Sequence, residues 1–115
     1  FLISSHTIKN PEDKLVLSNS FRVALTSVFK TVCNLYSKKK INFINIAPGP
    51  FKTQRLVNLV GKKNIKKFEK KLPLGKAGDP KDIAKFISSI ILNNIRSING
   101  STINFDGGIS KNIFS

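Results

Sequence analysis

The sequence predicts an α/β fold: a doubly wound parallel sheet with helices on its faces, of which this chain forms the C-terminal half. Three observations lead there. Short β-branched, apolar runs alternate with segments of helical period. The order strand, helix, strand, helices, strand asks for parallel strands joined by helical crossovers. Three strands alone would leave both sheet edges open, whereas parallel sheets are normally buried on both faces. The chain also starts at Phe1 and contains no Met, so it is expected to begin partway through a longer domain.

Residues 1–5, FLISS, read as the end of a buried strand, an apolar run closing on two hydroxyl residues. Asn10-Pro11-Glu12-Asp13 carries turn signals. From about 15 to 37 the period becomes helical: Phe21, Ala24, Leu25, Val28, Phe29, Val32 and Leu35 share one face. Lys38-Lys39-Lys40 closes that helix with cations where its dipole favours them. Residues 41–47, INFINIA, form a second strand, stopped by Pro48-Gly49-Pro50. Residues 52–71 predict two short basic helices broken near Gly61. Asp79 suits the N-cap of the next helix and Pro80 its first position, with Ile83, Ala84, Ile87, Ile90 and Ile91 as the apolar stripe. Residues 101–105, STINF, make the third strand, cut off by the turn Asp106-Gly107-Gly108.

Composition narrows the function classes. With 115 residues, 40% hydrophobic and 23% charged, the chain is an ordinary globular domain or part of one. No apolar run approaches the roughly 20 residues of a membrane helix. One cysteine, Cys33, and one histidine, His6, leave no disulfide framework and little scope for a metal site. Cys33 reads as a buried structural thiol. The net charge of +14 raises the question of nucleic acid or an anionic membrane. Its make-up argues against both: 17 Lys stand against 3 Arg, and Lys, Asn and Ile alone supply 44 residues, all with A/T-rich codons. The Lys pairs 62-63, 66-67 and 70-71 recur every four residues, the spacing of a solvated helical face.

Four segments together resemble the C-terminal half of short-chain dehydrogenases/reductases, over nearly all of residues 1–110. Ser4-Ser5 ends the first strand where that family places its catalytic serine. Ile46-Ala47-Pro48-Gly49-Pro50-Phe51-Lys52-Thr53 is similar to the family's post-strand Pro-Gly segment with its threonine. Pro73-Leu74-Gly75-Lys76-Ala77-Gly78-Asp79-Pro80-Lys81-Asp82-Ile83-Ala84 resembles P-L-G-R-x-G-x-P-E-E-I-A. Ile98-Asn99-Gly100-Ser101 through Asp106-Gly107-Gly108 resembles I-T-G-x-x-I-x-V-D-G-G. The resemblance implies one NAD(P)-binding Rossmann-type domain over residues 1–115, its N-terminal half lying outside the chain, in a cytoplasmic homodimer or homotetramer. The long helix at 15–37 would be the dimer contact, with Val16 and Val23 compatible.

One departure matters. Where the family places Tyr-x-x-x-Lys, this chain has Ser18 and Arg22, within Leu15-Val16-Leu17-Ser18-Asn19-Ser20-Phe21-Arg22. That stretch resembles an atypical 3-oxoacyl-carrier-protein reductase-like subgroup. The only tyrosine, Tyr36, lies 18 residues past Ser18, roughly 27 Å along a helix at about 1.5 Å per residue, and cannot substitute. In the family chemistry tyrosine gives the proton, lysine holds the ribose and serine polarises the carbonyl, while the cofactor carries the hydride. A phenol near pKa 10 is already a weak acid at neutral pH, and a serine hydroxyl is weaker still. Ser18 is thus a poor direct replacement and serves equally as a helix N-cap. Arg22 keeps the positive charge but is larger and forked.

By resemblance, Ser5, Ser18 and Arg22 are the candidate catalytic residues. Arg22, Pro48, Gly49, Phe51 and Thr53 are the candidate cofactor contacts, with the backbone near Phe51 meeting the nicotinamide carboxamide and Thr53 bonding carboxamide or phosphate. His6 follows the serine position and reads as an exposed loop histidine rather than a pocket liner. The implied function is an NAD- or NADP-dependent oxidoreductase acting on a carbonyl/hydroxyl pair of a small molecule, such as a 3-oxoacyl thioester, without metal, nucleic acid or membrane. The competing reading is a non-catalytic dinucleotide-binding relative that lacks the tyrosine acid. A basic nucleic-acid binder is the third, and it predicts affinity that falls steeply with salt.

Overall fold

The computed structural model describes residues 1–113. β1 (Leu2–Ile3) leads through two 3-10 turns, His6–Ile8 and Asp13–Leu15, into α1 (Val16–Tyr36). β2 (Asn45–Pro48), α2 (Gln54–Val60), α3 (Ile65–Glu69), α4 (Pro80–Leu92) and β3 (Thr102–Phe105) follow. The strands form one parallel sheet in the order β1-β2-β3, with Ile3 beside Ile46 and Ile46 beside Ile103. This is the parallel, helix-crossed sheet that the alternation predicts, and α2 and α3 break at Gly61 as expected.

The strand limits differ from the sequence reading. β2 begins at Asn45 rather than 41, because the Phe43 N–H donates to the Asn99 side chain at 2.7 Å instead of to a strand. It runs on to Pro48, which has no N–H and closes the pairing. β1 is one edge of the sheet and β3 the other: Ile3 in β1 is 50% exposed, where the sequence suggested a buried strand.

The two faces of the sheet differ in chemistry. Ile44, Ile46, Ile103 and Phe105 point to one face and pack against Ile83, Phe86, Ile87 and Ile90 of α4. That spacing of three and four is one helical face. Phe86 takes the place expected of Ala84 and Ile91, which are exposed. Asp79 caps α4 through a 2.9 Å bond from the Lys81 N–H, with Pro80 at its first position.

The other face carries Asn45 and Thr102, joined by a 3.2 Å bond from Asn45 Nδ2 to Thr102 Oγ1. α1 meets this polar face with a mixed set of side chains. Asn19 donates to the Glu12 carbonyl, Lys30 to that of Gly100, and Phe29 packs edge-on against Phe43. Cys33 is buried, as predicted. The apolar stripe of α1 is not a core face. Phe21 is 73% and Leu35 71% exposed, with Leu17, Leu25 and Val28 beside them. Among the described residues no helix is long and apolar enough to cross a membrane.

Candidate functional site

A cleft of about 480 Å³ opens at the C-terminal ends of β1 and β2. That end of a parallel sheet is where open α/β folds bind ligands. Its walls come from residues after β1, from the start of α1, from the turn after β2, and from α2 and α3.

Ser5 stands at the mouth of β1 and is buried. Its Oγ accepts from the Thr7 N–H at 3.2 Å and from Thr7 Oγ1 at 3.0 Å. An oxygen that accepts twice keeps its own proton free to donate. Ser4 turns the other way, its Oγ donating to the Ile46 carbonyl at 3.2 Å. Of the two serines, Ser5 lines the cleft.

The segment after β2 is clamped from behind. Gly78 N–H donates to the Pro50 carbonyl at 3.0 Å, and Lys52 N–H to the Gly78 carbonyl at 2.8 Å. That parallel bridge uses the groups of Pro50 and Lys52, so the N–H and C=O of Phe51 stay outside it. The Phe51 ring stacks on Phe105, with centroids 6.1 Å apart. Gly49 is needed for close approach: a Cβ there would meet the Asp106 Cα at 2.9 Å. Glu69 ties α3 to the same region, accepting from the Ala77 N–H at 3.0 Å and pairing with Lys52. Thr53 caps α2, its Oγ1 accepting from the Leu56 N–H at 3.3 Å.

The cleft thus brings together Ser5, Arg22, Pro48, Gly49, Phe51 and Thr53 from three separate stretches of chain. Ser18 is not among its lining residues. It does not cap α1 either, because the helix already starts at Val16. Arg22 makes no ion pair among the described residues.

Sequence reasoning missed three groups. His6 is buried rather than exposed, and it lines the cleft. The 3-10 turn after Ser5 folds its ring inward, with Nδ1 3.2 Å from the Pro48 carbonyl and Nε2 3.3 Å from Glu12 Oε1. Glu12 and Arg55 line the cleft as well. His6 and Glu12 are six residues apart across a loop, a spacing with no helical or strand period to signal it. Arg55 carried a better signal, two residues beyond Thr53 on the first turn of α2.

Asp106 lies behind the cleft, after β3. Partial burial opposes its ionisation, but contacts from Ser110 and Gly108 and the nearby His6 outweigh that. The carboxyl is held below the usual carboxylate range. Burial lowers the Lys9 ammonium from its ordinary value, against the pull of Asp106.

Apolar walls including Leu15, Leu56, Phe68 and Ile83, a free serine proton and two guanidinium groups suit a flat ring joined to a phosphate. The residues present therefore fit the nicotinamide end of a dinucleotide. The described residues include no glycine-rich phosphate loop of the G-x-G-x-x-G kind.

Comparisons with known proteins agree with this architecture. A family profile described as enoyl-(acyl carrier protein) reductase matches residues 3–110. The 3-oxoacyl-[acyl-carrier-protein] reductase FabG of Buchnera aphidicola subsp. Baizongia pistaciae (strain Bp) is 30% identical over 88 residues, covering 76% of this chain and 36% of that protein. The crystal structure of YwfH, an NADPH-dependent reductase involved in bacilysin biosynthesis, superposes with a TM-score of 0.87 at 20% identity, over 96% of this chain and 46% of the other. An NADPH-bound short-chain oxidoreductase from Pseudomonas aeruginosa PAO1, described as containing an atypical catalytic center, gives a TM-score of 0.80 at 19% identity, over 96% of this chain and 45% of the other. At those identities the two structures establish the fold. The chain spans less than half the length of each of these three proteins.

Proposed function

The chain belongs to the short-chain dehydrogenase/reductase family, and from that membership we propose that it supplies the substrate-side half of an NAD- or NADP-dependent oxidoreductase. On this reading residues 1–115 are the C-terminal part of a single dinucleotide-binding domain. One observation carries the proposal: a single cleft at the ends of β1 and β2 gathers Ser5, Arg22 and the clamped Pro48–Thr53 segment. A bound nicotinamide supplies the hydride. The chain's own residues hold and polarise. Ser5 donates its free proton to a carbonyl oxygen. The open N–H and C=O of Phe51 meet a carboxamide. Arg22 and Arg55 face negative charge on the ribose or phosphate side. Thr53, already committed to capping α2, shapes the turn and offers its remaining proton.

The substrate class we favour is a small-molecule carbonyl, specifically a 3-oxoacyl thioester. The relative FabG, a 3-oxoacyl-carrier-protein reductase by name, supports it. The exposed apolar stripe of α1 supports a homodimer or homotetramer.

A second reading has its own observation. Ser18 lies off the cleft, and the only tyrosine is at the far end of α1. A relative that binds the dinucleotide without turnover accounts for that. The two readings separate in one experiment on the full-length protein. NADPH and NADH are titrated by fluorescence, and oxidation of each is followed with a 3-oxoacyl thioester. Binding with turnover supports the oxidoreductase, and binding without it supports the second reading. No binding of either nucleotide overturns both.

A further inference from the structure

A carbonyl reduced in this cleft needs a proton as well as a hydride, and the chain offers few sources. Ser18 is absent from the lining, and the guanidinium groups there, Arg22 and Arg55, are not of the side-chain types that serve as general acids. Two titratable groups remain on the cleft wall, His6 and Glu12. Imidazole is the side chain suited to exchanging protons near neutrality. Glu12 is open to solvent, its side chain 54% exposed, while the His6 side chain is only 11% exposed.

We propose that His6, held between the Pro48 carbonyl and the Glu12 carboxylate, delivers the proton to the carbonyl oxygen that Ser5 polarises. This rests on the oxidoreductase reading above. Both ring nitrogens face oxygen acceptors, and only the doubly protonated ring can donate to both. The Pro48 carbonyl fixes the ring through Nδ1–H, which leaves Nε2–H as the mobile proton. In the reductive direction the carbonyl carbon gains the hydride and the C=O π pair moves onto oxygen. The carbonyl oxygen takes the place of Glu12 Oε1 on Nε2–H, the exposed Glu12 side chain turning out to solvent, and the His6 Nε2–H bond breaks as the new O–H bond forms. The ring is left neutral with its Nδ1 proton still on Pro48, and solvent restores the Nε2 proton past the exposed Glu12. The carboxylates of Glu12 and, more distantly, Asp106 lie near the ring, with the cations of Arg22 and Arg55 across the cleft and of Lys9 beside Asp106. Glu12 is a positioning residue in this scheme, because it acts through the ring.

The test uses the full-length protein with His6→Gln and Glu12→Gln variants, NADPH and a 3-oxoacyl thioester. For H6Q we expect kcat to fall by about 10²–10⁴-fold. The NADPH Kd should stay within about twofold, and the alkaline limb of the kcat profile should disappear. For E12Q, a change at an exposed side chain, kcat should fall about tenfold and its pH profile should move. A readout independent of turnover is the long-range ¹H–¹⁵N correlation of the imidazole, assigned by its loss in H6Q. The neutral ring should carry its proton on Nδ1. An H6Q enzyme with wild-type kcat and pH profile overturns the assignment. So does a neutral ring protonated on Nε2, or, where H6Q does not fold, an E12Q profile identical to wild type. Wild-type protein that binds no nicotinamide cofactor overturns the oxidoreductase reading itself. Wild-type protein that binds but does not turn over leaves cofactor binding standing and removes His6 as an acid.

Discussion

The ring of Phe51 lies over Gly78 so closely that a Cβ built on Gly78 would meet Phe51 Cε1 at 2.6 Å. The same pair is bridged through the backbone, so the approach cannot relax by separating the two segments. Phe51 is further backed by Phe105, which packs on Phe86 of α4 at 5.5 Å between centroids. The turn that lines the cleft is thereby fixed to the core through a chain of three rings in contact, Phe51 stacked on Phe105 and Phe105 tilted against Phe86.

Gly78→Ala should expose that coupling. The added methyl must push the Phe51 ring out of its stack, an overpacking cost of about 1–3 kcal/mol. Thermal unfolding of the full-length protein should show a lowered Tm, and the affinity for NADPH should weaken with it. A variant of unchanged Tm and unchanged affinity would show that the ring moves freely and that the clamp does not matter.

Asp79→Ala isolates a local term away from the cleft. The Asp79 carboxylate accepts from the Lys81 N–H at 2.9 Å and satisfies one orphan donor of α4. Loss of such a cap costs about 0.5–2 kcal/mol. Chemical denaturation should report that loss with no change in cofactor affinity, because Asp79 is not on the cleft wall.

The exposed stripe of α1 predicts the behaviour of the assembly. Leu17, Phe21 and Val28 are more than half exposed on one side of a 21-residue helix. A contiguous apolar face of this kind marks an interaction surface. Phe21→Glu places a charge in its middle and should shift the full-length protein from an oligomer to a monomer in sedimentation analysis. A wild-type monomer at micromolar concentration would sink the homo-oligomer proposal.

What could be read in the chain, and what could not, follows from the range of the signals. Helix periods, the Asp79-Pro80 start and the Pro48-Gly49-Pro50 stop are local, and α1, α4 and the end of β2 lie where they imply. The orientation of α1 was not legible. Its apolar residues cover more than one face, and the side that packs is set by partners elsewhere in the chain, the Glu12 and Gly100 carbonyls, Phe43 and Asn99. The cleft was half legible. Ser5, Arg22 and Pro48–Thr53 follow from the resemblance, whereas the burial of His6 depends on the Pro48 carbonyl, 42 residues away. No periodicity within a segment encodes a contact of that separation.

Asp106 gives the chain a predictable response to acid. Its carboxyl accepts from the Gly108 N–H at 2.9 Å and the Ser110 N–H at 3.0 Å, bonds that close the turn after β3 behind the cleft. These contacts, with His6, outweigh the opposing effect of burial and hold its pKa below the ordinary carboxylate value. A folded-state pKa below the unfolded one means that the unfolded chain binds the proton more readily. The stabilisation is therefore complete above the unfolded value of about 4 and is lost as pH falls through the lower folded value. Asp106→Asn removes the titrating group while keeping the shape. The advantage of wild type over D106N, read from unfolding midpoints between pH 7 and pH 3, should hold at neutral pH and narrow as pH falls below about 4. Parallel curves over the whole range would show that the turn draws nothing from the charge.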